Sequence, residues 1–103
     1  MNMQYKAPLE ELLELICDDF SITPAPIFSS YNRGRVSKAR QIFALSSTDA
    51  GVPHLAVSLF LNMDPSYVTQ VRRRKHALRR TAEYHHAYGY IHAKLGAIRN
   101  ANT

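Results

Sequence analysis

The residues whose types and spacing could do specific chemistry follow Asp64-Pro65: Ser66, Tyr67, Val68, Gln70, Arg73 and Arg74. Read as a helix, Val68 and Val71 fall on one side, while Ser66, Tyr67, Gln70, Arg73 and Arg74 fall on the other. Glutamine offers a donor and an acceptor side by side, which suits the adenine edge; tyrosine can touch a thymine methyl or a phosphate. Arginines further along suit phosphates, which supply affinity and little sequence information. A second basic group, Arg33, Arg35, Lys38 and Arg40 with Gln41, lies some thirty residues upstream.

Catalytic constellations are absent from the pattern. His85, His86 and His92, with His76 before them, lack the i, i+4 pairing of a metal site, and Glu83 is the one acid near them. Cys17 stands beside Ile16 without an organised base and reads as a packed side chain. No serine sits in a nucleophile elbow and no G-x-x-x-x-G-K-[ST] loop is present, so neither an enzyme nor a nucleotide or metal cofactor is expected.

The elements that must position these residues are helices. From Pro8 to Phe20, Leu9, Leu12, Leu13, Ile16 and Phe20 form one apolar stripe, with Pro8 in the first turn. Pro24, Pro26 and Gly34 interrupt the chain, and Ile22, Ile27 and Phe28 suggest a loop pinned to the core. A second helix is predicted over 36–46, with Val36, Ala39, Ile42 and Phe43 inward and Ser37, Lys38, Arg40 and Gln41 largely outward. A third begins at Pro53, with Leu55, Val57, Leu59 and Phe60 supplying apolar contacts. It ends near Asn62, the residue there best able to turn left-handed. Asp64 caps a fourth helix over 65–80, and Thr81 caps a fifth in which Tyr84, Tyr88, Ile91 and Leu95 form a packing face. A short apolar helix, a tight turn and a capped, increasingly basic helix make a helix-turn-helix over about 53–80. The expectation is an all-α single domain, residues 1–103, of about five helices.

Charge sharpens this reading. Residues 1–30 hold one cation against five acids, net −4; residues 31–80 hold ten against two, net +8; the whole chain is +5. Such polarity points to an anionic polymer, double-stranded DNA, as partner. The plain alternative is an acidic helix facing the basic stretch, both merely solvated. One cysteine and the lack of an export signal point to the cytoplasm, and no apolar run approaches the ~18 residues of a membrane span.

The stretches LEELLELICDDFSITPAPIF, RGRVSKARQIFAL and VPHLAVSLFLNMDPSYV resemble the C-terminal DNA-binding domain of the bacterial replication initiator DnaA, over about Leu9 to Ile98. That Trp-repressor-like fold also occurs in modules attached to transposases. The resemblance implies Arg33 or Arg35 in a minor groove, Arg40 and Gln41 at backbone phosphates, and Asp64, Ser66 and Val68 in a recognition helix. The family pattern Asp-His-Thr-Thr-Val departs here: Pro65 replaces a base-reading histidine and Tyr67 a small threonine. The turn lacks the usual glycine and is one residue longer, so the initiator's usual DNA box does not carry over. Together these features imply nucleoid-associated DNA binding in replication, transposition or transcription.

Two other classes stay open. One is a helical protein-interaction module whose acidic first helix or Tyr-rich last helix is the docking face; a protein partner or fused domain belongs here too. The other is RNA binding by stacking on Tyr5, Tyr31, Tyr67, Tyr84, Tyr88 and Tyr90.

Overall fold

The computed structural model describes residues 3–29 and 33–101. Six α-helices are present among the described residues: α1 (Met3–Phe20), α2 (Gly34–Asp49), α3 (His54–Leu61), α4 (Pro65–Arg72), α5 (Lys75–Leu78) and α6 (Ala82–Ala101), with a 3₁₀ turn at Ala25–Phe28. The protein is all-α. No helix among the described residues is long and apolar enough to cross a membrane.

The helix α2 is the axis of the fold and packs against every other helix. From Ala39 to Ser47 almost every residue except Gln41 is buried. Its polar residues are tolerated inside because each hydroxyl bonds back within the helix: Ser46 Oγ donates to the Ile42 carbonyl at 2.7 Å and Ser47 Oγ to that of Phe43 at 2.6 Å. The long helices α1 and α6 pack on α2 and on each other. The α1 stripe of Leu9, Leu12, Leu13, Ile16 and Phe20 is buried, as are Tyr84, Ala87, Ile91 and Leu95 of α6. Each such aliphatic side chain contributes about 1.5–3 kcal/mol.

Three helices end in the same way, at the residues able to take a positive φ. Ser21 (φ 55°), Gly51 (φ 105°) and Asn62 (φ 56°) each follow a helix. In each case the next amide donates to a carbonyl five residues back: Ile22 to Cys17, Val52 to Ser47 and Met63 to Ser58, all at 3.0 Å.

Several expectations need correction. Helix α1 starts at Met3, a turn before Pro8, because half-buried Tyr5 already packs on the core. Leu55 and Leu59 of α3 point to solvent, 60% and 55% exposed; Ala56, Val57, Ser58 and Leu61 make the buried face instead. The helix predicted over 65–80 breaks at Arg73–Arg74, where the hydrogen bonds tighten to i→i−3: Arg73 N to Gln70 O at 3.2 Å and Arg74 N to Val71 O at 2.9 Å.

Candidate nucleic-acid interface

Helix α4 starts where the sequence placed it. The Asp64 carboxylate accepts from the Ser66 amide at 2.8 Å, with Pro65 in the first turn. That hydrogen bond holds the Asp64 carboxyl below the usual range, so Asp64 acts as the cap that orients α4. Val68 and Val71 are buried. Ser66, Thr69, Gln70 and Arg73 are exposed and lie at i, i+3, i+4 and i+7, on one face of the helix and its immediate extension. Thr69 was missed by the sequence reading, though its spacing from Ser66 and Arg73 places it there.

Tyr67 belongs elsewhere. It packs against the core, half-buried, and its hydroxyl is buried without a hydrogen-bond partner among the described residues. Burial pushes the phenol pKa up to about 12, against the pull of nearby Arg40 and Arg74. The expected contact of Tyr67 with bases therefore does not fit its placement.

Arg40 is the second correction. It is 1% exposed, so it does not reach a DNA backbone. Its Nε donates to the Ile27 carbonyl at 2.8 Å, and an η-nitrogen donates to those of Pro26 and Ser29, both at 3.1 Å. These bonds fasten the 3₁₀ turn to α2, which explains how a Pro-rich loop is pinned with Ile27 inside. Arg35 also turns away, donating from Nη1 to the Phe20 carbonyl at the end of α1 at 3.3 Å. Arg33 is exposed at the start of α2, next to Gly34, whose φ of 55° lets the chain turn into the helix.

The remaining candidates converge. Between the N-terminal half of α2 and the α4–α5 bend runs an open groove of about 610 Å³, lined by Gly34, Ser37, Lys38, Gln41, Arg73, Arg74 and His76 among others. A second hollow of about 300 Å³ shares Ser37, Gln41 and Arg74 with it and adds Tyr67, Gln70 and Val71. The structure thus brings Lys38, Gln41, Gln70, Arg73 and Arg74 together and leaves Arg35 and Arg40 outside. No carboxylate lines either hollow.

Two further arginines of the basic run, Arg72 and Arg79, are tied to one internal carboxylate, which the sequence did not reveal. Asp49, at the end of α2, accepts from Arg72 Nη1 at 3.0 Å, from Arg79 Nε at 2.9 Å and Nη2 at 2.7 Å, and from the Tyr84 hydroxyl at 2.6 Å. Its side chain is 8% exposed. Burial pushes the Asp49 pKa up, but the bonds from Arg79, Tyr84 and Arg72 outweigh it and hold the carboxyl below its usual range. The bend at Arg73–Arg74 lets Arg72 and Arg79 meet on this one carboxylate, while Arg73 and Arg74 reach the groove.

Two acids of α1 pair with α6, and none lines the groove: Glu11 pairs with Tyr90 and with Lys94 (3.0 Å), and Asp19 with His86 (2.7 Å). Along α6, Tyr84 stacks on Tyr88, and Tyr88 on His92. Tyr31 lies outside the described residues. Comparison with protein-family models, curated proteins and solved structures finds no match.

Proposed function

We propose that the protein binds duplex DNA sequence-selectively, with the exposed face of α4 in the major groove and the groove between α2 and α4–α5 against the phosphate backbone. The observation that carries this reading is the α4 face itself. Short polar residues, Ser66, Thr69 and Gln70, precede Arg73, with Lys38 and Arg74 beside them and no acid in the hollow. Neutral side chains near the helix start suit base edges, and cations further along suit phosphates. The resemblance to the DnaA C-terminal domain supports the same docking, with replication, transposition or transcription as the setting. Its implied phosphate contact at Arg40 passes to Lys38, two residues earlier on the exposed side of α2.

Selection of bound duplexes from a random pool, followed across salt concentrations, tests the reading. The expected result is an enriched motif, with log affinity falling against log salt at a slope of about −3 or steeper for three or more neutralised phosphates. Thr69→Ala or Gln70→Ala should relax one or two base positions, at about 1–3 kcal/mol each. Binding without enrichment would overturn sequence selectivity.

Burial of the apolar residues of α1 and α6 counts against the protein-interaction alternative. Leu12, Ile16 and Ile91 are fully buried, and Tyr88 is held between rings. Among the described residues, Phe28, Leu55 and Leu59 are large apolar side chains that stay exposed.

A further inference from the structure

Both acids of the basic stretch 31–80 are engaged elsewhere: Asp49 holds Arg72 and Arg79, and Asp64 caps α4. Arg35 and Arg40 are bonded to backbone carbonyls. Lys38, Arg73 and Arg74 remain exposed on the open groove of about 610 Å³, and none of them makes a salt bridge among the described residues. Three positive charges thus share one concavity whose lining holds no carboxylate. Such charges repel one another, so an anion bound among them stabilises the fold.

We propose that this groove is a preformed seat for a single phosphate group, held between Lys38 of α2 and Arg73 and Arg74 at the α4–α5 bend. The seat rests on the reading of this groove as a phosphate contact and sharpens it: the protein alone builds the seat, which fills without DNA.

Charge, donors and position select phosphate. A dianion matches three fixed cations better than a singly charged carboxylate does. Its oxygens accept from several donors at once, the guanidiniums in bidentate pairs and the Lys38 ammonium as a point charge. A neutral donor stands among the cations: Gln41 Nε2 donates to Ser37 Oγ at 3.1 Å and carries a second N–H. Gly34, also on the groove, opens α2, and a helix of sixteen residues adds the positive end of its dipole there. The adjoining hollow of about 300 Å³ shares Ser37, Gln41 and Arg74 and leaves room for whatever carries the phosphate. That carrier is either a nucleic-acid strand or a free phosphorylated compound; the chemistry at the seat is the same.

The test titrates inorganic phosphate into the free native chain and into the double variant Lys38→Ala, Arg74→Ala. Chloride holds the ionic strength constant, and melting temperature and amide shifts are read together. At ten times its dissociation constant, phosphate should raise the native melting temperature by about 4–8 °C. Amide shifts should centre on Gly34, Lys38, Gln41, Arg73 and Arg74, and the variant should lose both responses. An equal rise in the two proteins is the general effect of an excluded salt and would overturn the seat. Native shifts scattered over the other cations would overturn it too, whatever the stability of the variant.

A second arm separates the two carriers with a short unselected duplex and inorganic triphosphate. If the duplex moves the same amides, and phosphate weakens its binding more than chloride at equal ionic strength, the seat takes a strand backbone. If triphosphate moves those amides and the duplex does not, the seat stands with a free phosphorylated ligand and the DNA reading falls. If the duplex binds while phosphate moves nothing, the seat falls and the DNA reading stands.

Discussion

The two ends of α2 carry cations of the same kind to opposite ends. At the C-terminal end, Asp49 collects Arg72, Arg79 and Tyr84, so that one carboxylate holds two guanidiniums and a hydroxyl. At the N-terminal end, Lys38 faces Arg73 and Arg74 across a groove that no acid lines. Arg72, Arg73 and Arg74 are consecutive, yet one belongs to the first site and two to the second. The difference teaches that a basic run is not a basic patch. The bend after Arg72 sorts the run, and what lies opposite each side chain decides whether its charge holds the fold together or remains for a partner.

The largest expected effect comes from breaking the paired end. Asp49→Ala leaves two partly exposed guanidiniums and the Tyr84 hydroxyl without their acceptor. Breaking a fully buried pair costs about 3–5 kcal/mol; with Arg72 and Arg79 29% and 37% exposed, solvent screening reduces this to about 2–3 kcal/mol. For a domain of this size the melting temperature should fall by about 10 °C or more. Lys38→Ala, at the other end, should leave the melt within about 0.5 kcal/mol of the native chain. Equal melts for the two variants would dissolve the contrast.

Acid and base should act on the same cluster from both sides. Asp49 has a depressed folded pKa, so its contribution is complete above the unfolded carboxylate value of about 3.9 and is lost as pH falls through the lower folded one. Tyr84 is pushed up to about 12 by burial and by its bond to Asp49, so its contribution holds below about pH 10 and is lost as pH rises towards 12. Denaturant midpoints measured against pH should fall at both extremes, and Asp49→Asn should flatten the acid limb most. An unchanged acid limb would remove Asp49 from its place as the pairing centre.

The open end should respond in binding and not in stability. Arg73→Ala and Arg74→Ala should each weaken all duplexes alike and flatten the salt slope by about 0.9, with unfolding nearly unchanged. Arg72→Ala should do the reverse, lowering stability while leaving the slope nearly intact. Reversal of that pattern in paired melts and salt titrations would exchange the two ends.

How much of this was legible depended on the range of the interaction. The Asp64 cap, the left-handed Asn62 and the inward Val68 and Val71 follow from spacing and local chemistry, and the structure agrees. Arg40 was not legible as a buried clamp: its partners are carbonyls 11 to 14 residues away, and backbone carbonyls carry no sequence signature. The Asp49 centre was hidden for the same reason, since its partners lie 23 to 35 residues off. Leu55 and Leu59 misled because an apolar pattern reports which residues would gain from burial, and α3 has more apolar positions than neighbours to cover them.

Tyr67 offers the smallest effect and the finest discrimination. It sits where the smaller hollow of the open end meets the core, half-buried and packed against it, with its hydroxyl unpartnered among the described residues. A buried hydroxyl without a partner costs about 1–3 kcal/mol, whereas the ring contributes by burial. Tyr67→Phe removes that cost together with the pull of the nearby Arg40 guanidinium on the hydroxyl and keeps the ring, so stability should stay level to within about 1 kcal/mol in a thermal melt. If Tyr67 only supports α4, the selected DNA motif should also be unchanged. A loss of preference at one base position, with stability intact, would mean that the hydroxyl meets DNA after all and that the ring swings out of its packed position on binding.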